Sequence, residues 1–192
     1  IKLQDKDSLV SVKPTTGEDH IMLLTHGGKS IRFPEANVRH MGRATTGVTG
    51  IKMEKEDKVI GMEVFPGKER IPKDKRKKVF RDILTISERG LGKRTPIHLF
   101  PVQKRAGKGV KCSVVSPKTG LLACAEMVTE KFDEVIITSR GGQVIKLPLR
   151  NIPELGRATQ GVILMRFANK GDSVAAAAVL EINGGEEEEE KV

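Results

Sequence analysis

Two basic columns recur in register along this chain. They appear when segments 21–48, 83–110 and 135–162 are aligned without gaps. The first column contains Arg43, Arg105 and Arg157, and the second contains Arg32, Arg94 and Lys146. Guanidinium and ammonium groups bind anionic oxygens through charge-assisted hydrogen bonds. A regular row of them predicts a surface for a long polyanion rather than a single catalytic pocket.

The charge of the chain is divided between a basic body and an acidic end. Residues 186–190 are all glutamates, so residues 1–185 hold 33 of the 34 Lys and Arg residues but only 20 of the 25 Asp and Glu residues. This division is typical of a nucleic-acid-binding body with a segment that competes for its surface. The alternative is a basic face that only confers solubility, which does not require arginine to recur in register. We expect 183–192 to be disordered, because a glutamate run cannot form a core.

Residues that could form a catalytic or metal centre are sparse. The tripeptide at 28–30, GKS, resembles the end of a phosphate-binding loop, but the glycine required five residues earlier is Leu23. Cys112 and Cys124 form no C-x-x-C pair and share no ligand spacing with the four histidines. We therefore expect reduced thiols, no metal site and no cofactor. The longest apolar run, 174–180, is too short to span a bilayer, so we expect no membrane association.

The repeats themselves predict the elements that position the basic columns. Each repeat begins with two β-rich runs around a glycine-bearing turn, which is typical of a hairpin. The second run ends at a proline that all three repeats share, and two further runs follow, at 48–53 and 59–65 in the first repeat. Four strands per unit and a period of roughly 50–60 residues predict an all-β, propeller-like array of blades.

The blade boundaries follow from this period. Segment 1–12 aligns with 51–62, so 1–19 is interpreted as the end of a preceding blade and the chain as a piece of a larger protein. The predicted units are blades at 20–65, 81–130 and 131–182, a basic inter-blade loop at 66–80 and the acidic end at 183–192. About three and a half blades predict an open or partial ring. In each repeat, the basic residue of the first column stands on a turn that ends in Gly47, Gly109 or Gly161. Glycine there predicts a backbone shape or a close approach that other residues do not allow.

One heptad in the second repeat carries a family resemblance. Residues 103–109, QKRAGKG, resemble the basic box Q-R-R-G-G-K-G of the DNA gyrase A C-terminal domain. The stretches 86–96 (ISERGLGKRTP) and 135–166 (VIITSRGGQVIKLPLRNIPELGRATQGVILMR) are also similar to that domain, and the resemblance covers 1–182. It departs from the box at Ala106, which replaces a glycine. The family's box also lies in the first blade, so this heptad is identified as a degenerate copy.

The resemblance implies a β-pinwheel fold, usually of six blades, with DNA bent around its outer rim. It implies a non-catalytic part of a cytoplasmic, nucleoid-associated type II topoisomerase from bacteria or organelles. The catalytic tyrosine and the sites for ATP and Mg²⁺ would lie elsewhere in the whole enzyme. The implied partners are double-stranded DNA, the rest of the DNA gyrase A polypeptide and the DNA gyrase B polypeptide. Two alternatives stay open: the C-terminal domain of the corresponding topoisomerase IV polypeptide, and a propeller-type protein-interaction module whose basic rim binds an acidic partner.

These arguments select one set of residues for weakly sequence-dependent DNA binding. Contacts to phosphate position a duplex without reading its bases. The glycine turns contribute Arg43, Arg105 and Arg157; the box-like turn adds Gln103, Lys104 and Lys108; and the second strands contribute Arg32, Arg94 and Lys146.

Overall fold

The chain folds into three antiparallel sheets. The computed structural model describes residues 1–3, 7–67 and 81–181, and the strands of this part confirm the all-β prediction. The strands are β1 (Asp19–Thr25), β2 (Lys29–Pro34), β3 (Val59–Pro66), β4 (Arg81–Ser87), β5 (Leu91–Pro96), β6 (Val110–Lys111), β7 (Leu122–Thr129), β8 (Phe132–Ser139), β9 (Val144–Pro148), β10 (Val162–Ile163) and β11 (Val174–Glu181). Short 3-10 turns follow the shared prolines at Glu35–Asn37, Ile97–Leu99 and Leu149–Asn151.

Each sheet is built on one of the predicted hairpins. In the first, β1 and β2 pair with Leu23 opposite Ile31, and Gly28 in the connecting turn has a φ of +75°. Glycine adopts this left-handed conformation without the steric penalty of a side chain. β4 with β5, and β8 with β9, repeat the arrangement.

In the first and second sheets, one of the two edge strands comes from the following repeat. The first sheet has the order β3-β1-β2-β6 and the second β10-β5-β4-β7, so β6 and β10 each pair with the preceding repeat. The prediction that the third run of a repeat closes its own blade is therefore wrong. These exchanged strands are only two residues long. In the described part of the chain, 48–53 and 7–18 contain no strand, and the third sheet has three strands, in the order β11-β8-β9.

Two hydrophobic clusters join the three sheets. Met22, Phe65 and Phe100 belong to the cluster between the first and second sheets, together with Ile83 of β4. The next residue, Leu84, belongs to the cluster between the second and third sheets. Successive side chains of a strand point to opposite faces, so the middle sheet contributes to both cores. β7 packs against both β3 and β11, which leaves the exchanged strands on the opposite, outer edges of the sheets.

Two predicted segments lie outside the described residues. Except for residues 66 and 67, the basic loop predicted at 66–80 is not described, and neither is the acidic end at 183–192. Within the described ranges, no helix has the length and apolarity needed to span a membrane.

Candidate nucleic-acid interface

Arg32, in the second basic column, lies between the first two sheets. Its side chain is 8% exposed. Its Nη1 donates to the carbonyl oxygens of Ile97 at 3.2 Å and Phe100 at 3.4 Å, and its Nε donates to His20 Nδ1 at 3.0 Å. The guanidinium carbon lies 4.9 Å from the centroid of the Phe65 ring. Arg32 therefore has an inter-blade role, and its DNA contact stays a prediction that these buried bonds do not favour.

Arg94 repeats this arrangement between the second and third sheets. Its Nε donates to the carbonyl oxygen of Ile152 at 3.0 Å, and its Nη1 donates to Asp82 Oδ2 at 2.8 Å. Ile152 matches Phe100 in the repeat, and Asp82 matches His20. Burial raises the pKa of Asp82, and the positive charge of Arg94 opposes that shift. Arg94 likewise bonds at the junction of two blades, and its DNA contact stays a prediction.

Lys146, the third member of the column, stays at the surface. Its side chain is 55% exposed, and its Nζ lies 2.5 Å from Glu134 Oε2. Exposed ion pairs of this kind contribute little to stability. Lys146 is therefore accessible to an anion, and its DNA contact stays a prediction.

Two arginines of the first basic column donate hydrogen bonds to the main chain of the preceding blade. Arg105 donates through Nε to the carbonyl oxygen of Asn37 at 3.1 Å, and through Nη1 to that of Thr49. Arg157 Nη1 donates to the carbonyl oxygen of Lys111 at 2.9 Å. Thr49 and Lys111 occupy the same repeat position, so the same hydrogen bond from arginine to a carbonyl group of the preceding blade is formed twice. Both arginines are half-buried.

Arg43 differs from the other two members of this column. It is exposed and makes no side-chain hydrogen bond within the described ranges. Its DNA contact, like those of Arg105 and Arg157, stays a prediction. The structure adds that Arg105 and Arg157 each bond to the main chain of the preceding blade.

The glycines that end these turns allow close backbone contact. Gly109 has a φ of +69°, and a Cβ there would lie 2.4 Å from the Ser30 carbonyl oxygen. Gly161 has a φ of +82°, and a Cβ there would lie 2.4 Å from the Gly92 carbonyl oxygen. Gly47 has a φ of +80°, with no atom closer than 3.7 Å to that position. The exchanged strands β6 and β10 can thus approach β2 and β5 this closely only because Gly109 and Gly161, which precede them, have no side chain.

The box-like turn at 103–109 is anchored through its main chain. Gln103 N donates to the Arg32 carbonyl oxygen at 2.7 Å, and Ala106 N donates to that of Gly50 at 2.7 Å. Gln103 Oε1 is buried and has no hydrogen-bond partner in the described part of the chain. Ala106 has a φ of +64°. The turn is therefore fixed by the backbone, and Lys104 and Lys108 are exposed on it.

Further lysines surround the box-like turn. Lys29, Lys52 and Lys108 line a cavity of about 150 Å³. Lys29 also stands opposite Lys111 in the β2–β6 ladder. Like charges directly opposite in a ladder are destabilising, so an anion bound there relieves the repulsion. We define the lysine cluster by its members, which are Lys29, Lys52, Lys104, Lys108 and Lys111.

Sequence reasoning missed Lys29, Lys52 and Lys111. They lie outside the matched columns, and Lys29 meets Lys111 only because β6 is exchanged into the first sheet. Asp57 lines the same cavity, but its Oδ1 accepts hydrogen bonds from Gly27 N at 2.7 Å and Lys58 N at 2.8 Å. This carboxylate is thus engaged by the main chain.

Known proteins share both the sequence pattern and the fold of this chain. The model of the DNA gyrase C-terminal domain, described as a beta-propeller, matches residues 19–66, 81–120 and 133–181. The DNA gyrase A polypeptide of Staphylococcus aureus (strain MRSA252) is 33% identical over 189 residues, which cover 98% of this chain and 20% of that protein. The chain therefore spans about a fifth of the length of the curated relatives it matches.

Two solved structures share the fold. A DNA gyrase A C-terminal domain aligns with a TM-score of 0.76 and 23% identity over 93% of this chain and 56% of that one. The C-terminal domain of a DNA topoisomerase IV aligns with a TM-score of 0.78 and 19% identity over 93% of this chain and 52% of the other. These matches confirm the β-pinwheel prediction.

Proposed function

The chain belongs to the DNA gyrase C-terminal domain family, and from this premise we propose that it binds and bends duplex DNA along its outer rim. In the whole enzyme, this binding supports ATP-dependent negative supercoiling. The lysine cluster is the observation that carries the proposal. It gathers cations from two repeats at one outer edge, where β2 pairs with the exchanged strand β6.

The energetics require many such contacts. Bending 20–30 base pairs by 40–90° costs on the order of 1–6 kcal/mol. Each phosphate contact releases condensed counterions, which favours binding and makes it depend on salt. The proposed phosphate contacts are the lysine cluster, in which Lys104 and Lys108 are exposed, and the exposed Arg43. Such contacts carry no base code, so the affinity is nearly independent of sequence.

Neutralising single lysines of the cluster tests the proposal. Lys108→Gln and Lys111→Gln are each expected to weaken binding to a duplex of about 30 base pairs. Each should also reduce the slope of log K against log salt by about 0.9. Fluorescence anisotropy over a salt series measures both quantities. The control is Lys131→Gln, which removes one exposed charge from the turn between β7 and β8. Equal behaviour of the three variants would contradict the proposed surface.

The rest of the enzyme supplies what this chain does not. We place the catalytic tyrosine, the ATP and Mg²⁺ sites and the contacts with the DNA gyrase B polypeptide outside these residues, in a cytoplasmic holoenzyme. The similarity to a topoisomerase IV C-terminal domain favours one second candidate, a role in that enzyme. Plasmid assays separate the two functions. A reconstituted holoenzyme that introduces negative supercoils supports gyrase, and one that only relaxes and decatenates DNA supports topoisomerase IV.

A further inference from the structure

We call the junction of the first and second sheets the first seam, and that of the second and third sheets the second seam. Lys93 is a fully buried ammonium group at the second seam. Its exposed fraction is 0%. Its Nζ lies 2.7 Å from the Gly156 carbonyl oxygen, 2.6 Å from the Arg157 carbonyl oxygen and 3.1 Å from Thr159 Oγ1. An ammonium group has three donors. All three are therefore satisfied by the turn at 155–161, which belongs to the next repeat.

The matching residues of the other repeats are apolar. Ile31 is also 0% exposed, and Ile145 is partly buried. Ile31 lies beneath the box-like turn, with its Cδ1 3.5 Å from the position of a Cβ on Gly107. An isoleucine offers no donor to the carbonyl groups above it. Two turns of equal length therefore pack on different residues, an isoleucine at the first seam and a lysine at the second.

The two turns also differ in conformation. Ala106 of the box-like turn has a φ of +64°, whereas Ala158 at the matching position is not in the left-handed region. In the second seam, the Gly156 and Arg157 carbonyl groups point inward, at Lys93. The turn above Ile31 therefore has a residue in the left-handed conformation, whereas the turn above Lys93 has inward carbonyl groups instead.

The surroundings of Lys93 contain positive and neutral groups. Burial lowers the pKa of Lys93 to about 8, and the positive charge of Arg157 acts in the same direction. Cys112 is the other titratable group beside it, and burial raises the pKa of that thiol to about 12, so the thiol is neutral where Lys93 titrates. The three turn oxygens are therefore the main partners that hold the ammonium in place.

We propose that Lys93 is a positioning residue that selects the conformation of the 155–161 turn and thereby directs the DNA path across the second seam. The effect on DNA rests on the proposed function, but the effect on the turn does not. Replacing the ammonium by an apolar group leaves the Arg157 carbonyl group without its donor, while the Gly156 carbonyl oxygen keeps only the Thr159 hydroxyl, 2.8 Å away. Unpaired polar groups that are shielded from water are unfavourable. The turn then reaches the conformation of the box-like turn, with Ala158 at positive φ.

The first test reads the turn itself in the full 192-residue chain. In Lys93→Ile and Lys93→Met, the Cα and Cβ chemical shifts of Ala158 should move toward the values of Ala106, which serves as a reference within the same molecule. Unchanged Ala158 shifts in folded variants would overturn the proposal. Should both variants fail to fold, the wild-type chain decides, because the shifts of Ala158 and Thr159 should follow the deprotonation of Lys93, as read from the Cε shift of Lys93 itself. No change across that titration overturns the proposal.

The second test reads the DNA. Fluorescence energy transfer between the ends of a bound duplex should differ between wild type and Lys93→Met, with a much smaller change in Kd than Lys108→Gln produces. Equal transfer in the two proteins would show that Lys93 does not direct the path. If the wild-type chain binds no DNA, the proposed function fails, while the turn experiment still decides whether Lys93 selects the conformation.

Discussion

Arg32 and Lys146 occupy the same repeat position in different surroundings. Arg32 is buried and donates to the Ile97 and Phe100 carbonyl oxygens of the next blade, whereas Lys146 is more than half exposed. Leaving a buried acceptor without its donor costs about 1–3 kcal/mol. Sequence alone does not distinguish the two cases, because guanidinium and ammonium groups both bind phosphate and peptide carbonyl oxygens with the same N–H donors.

Methionine at these two positions should separate the structural role from the surface role. Arg32→Met is expected to lower the free energy of unfolding by about 1–3 kcal/mol, since the Phe100 carbonyl oxygen loses its donor and that of Ile97 keeps only the Phe100 N–H. Lys146→Met is expected to change it by less than about 0.5 kcal/mol, as for most exposed substitutions. Urea unfolding followed by circular dichroism measures both. Similar losses in the two variants would refute the inter-blade role of Arg32.

Ala106 is a second residue whose backbone makes a prediction. An L-residue at positive φ is unfavourable by about 1–2 kcal/mol, and a glycine lowers stability by about 0.4–1 kcal/mol through the unfolded chain. Ala106→Gly should therefore be neutral or stabilising by up to about 1.6 kcal/mol. Ala158→Gly is the matched control and should be destabilising, because that residue has no positive φ to relieve. Thermal and urea unfolding should give opposite signs, and equal losses would contradict the prediction.

At the level of strands, the exchange of a strand between neighbouring repeats could not be predicted from the sequence. The hairpins were predictable because their signals are local: a glycine turn at Gly28 and a proline that ends the second strand at Pro34. The pairing of β6 with β2 depends instead on how one repeat packs on the next. A two-residue strand has no periodicity of its own. The same lack of long-range information hid the meeting of Lys29 with Lys111.

Two glycines with nearly equal φ test the exchanged strands. Gly161 (φ +82°) would place a Cβ 2.4 Å from the Gly92 carbonyl oxygen, whereas Gly142 (φ +85°) has no atom within 4 Å of that position. Gly142→Ala should then cost the backbone strain of about 1–2 kcal/mol, less the gain of about 0.4–1 kcal/mol that alanine brings through the unfolded chain. Gly161→Ala should cost clearly more, because β10 must also move away from β5. Urea unfolding gives the two values, and equal losses would show that the β5–β10 contact adds little.

Across the whole molecule, each seam combines three kinds of contact. At the first seam these are a hydrophobic cluster, a short main-chain ladder and arginines bound to carbonyl groups of the neighbouring blade. The second seam has the same three kinds of contact and adds Lys93. These contacts do not use the side chains of the lysine cluster. Substitutions of those lysines should therefore change the affinity for DNA without changing the fold.

The two seams differ most in their charge. The residues that match Lys29, Lys104, Lys108 and Lys111 at the second seam are Leu91, Gly156, Gln160 and Ile163. The positive charge available to a phosphate is thus concentrated at the first seam. A duplex that continues along the rim must cross the second seam with fewer cations.

Adding a lysine at the second seam tests whether the path continues there. Gln160→Lys places an ammonium on an exposed position that matches Lys108. If the duplex crosses this seam, the affinity at low salt should rise and the slope of log K against log salt should steepen by about 0.9. Glu130→Gln is the control, because it also makes the net charge one unit more positive, but at the turn between β7 and β8. Equal effects of the two variants would mean that only net charge matters. No effect of either would place the end of the DNA path at the first seam.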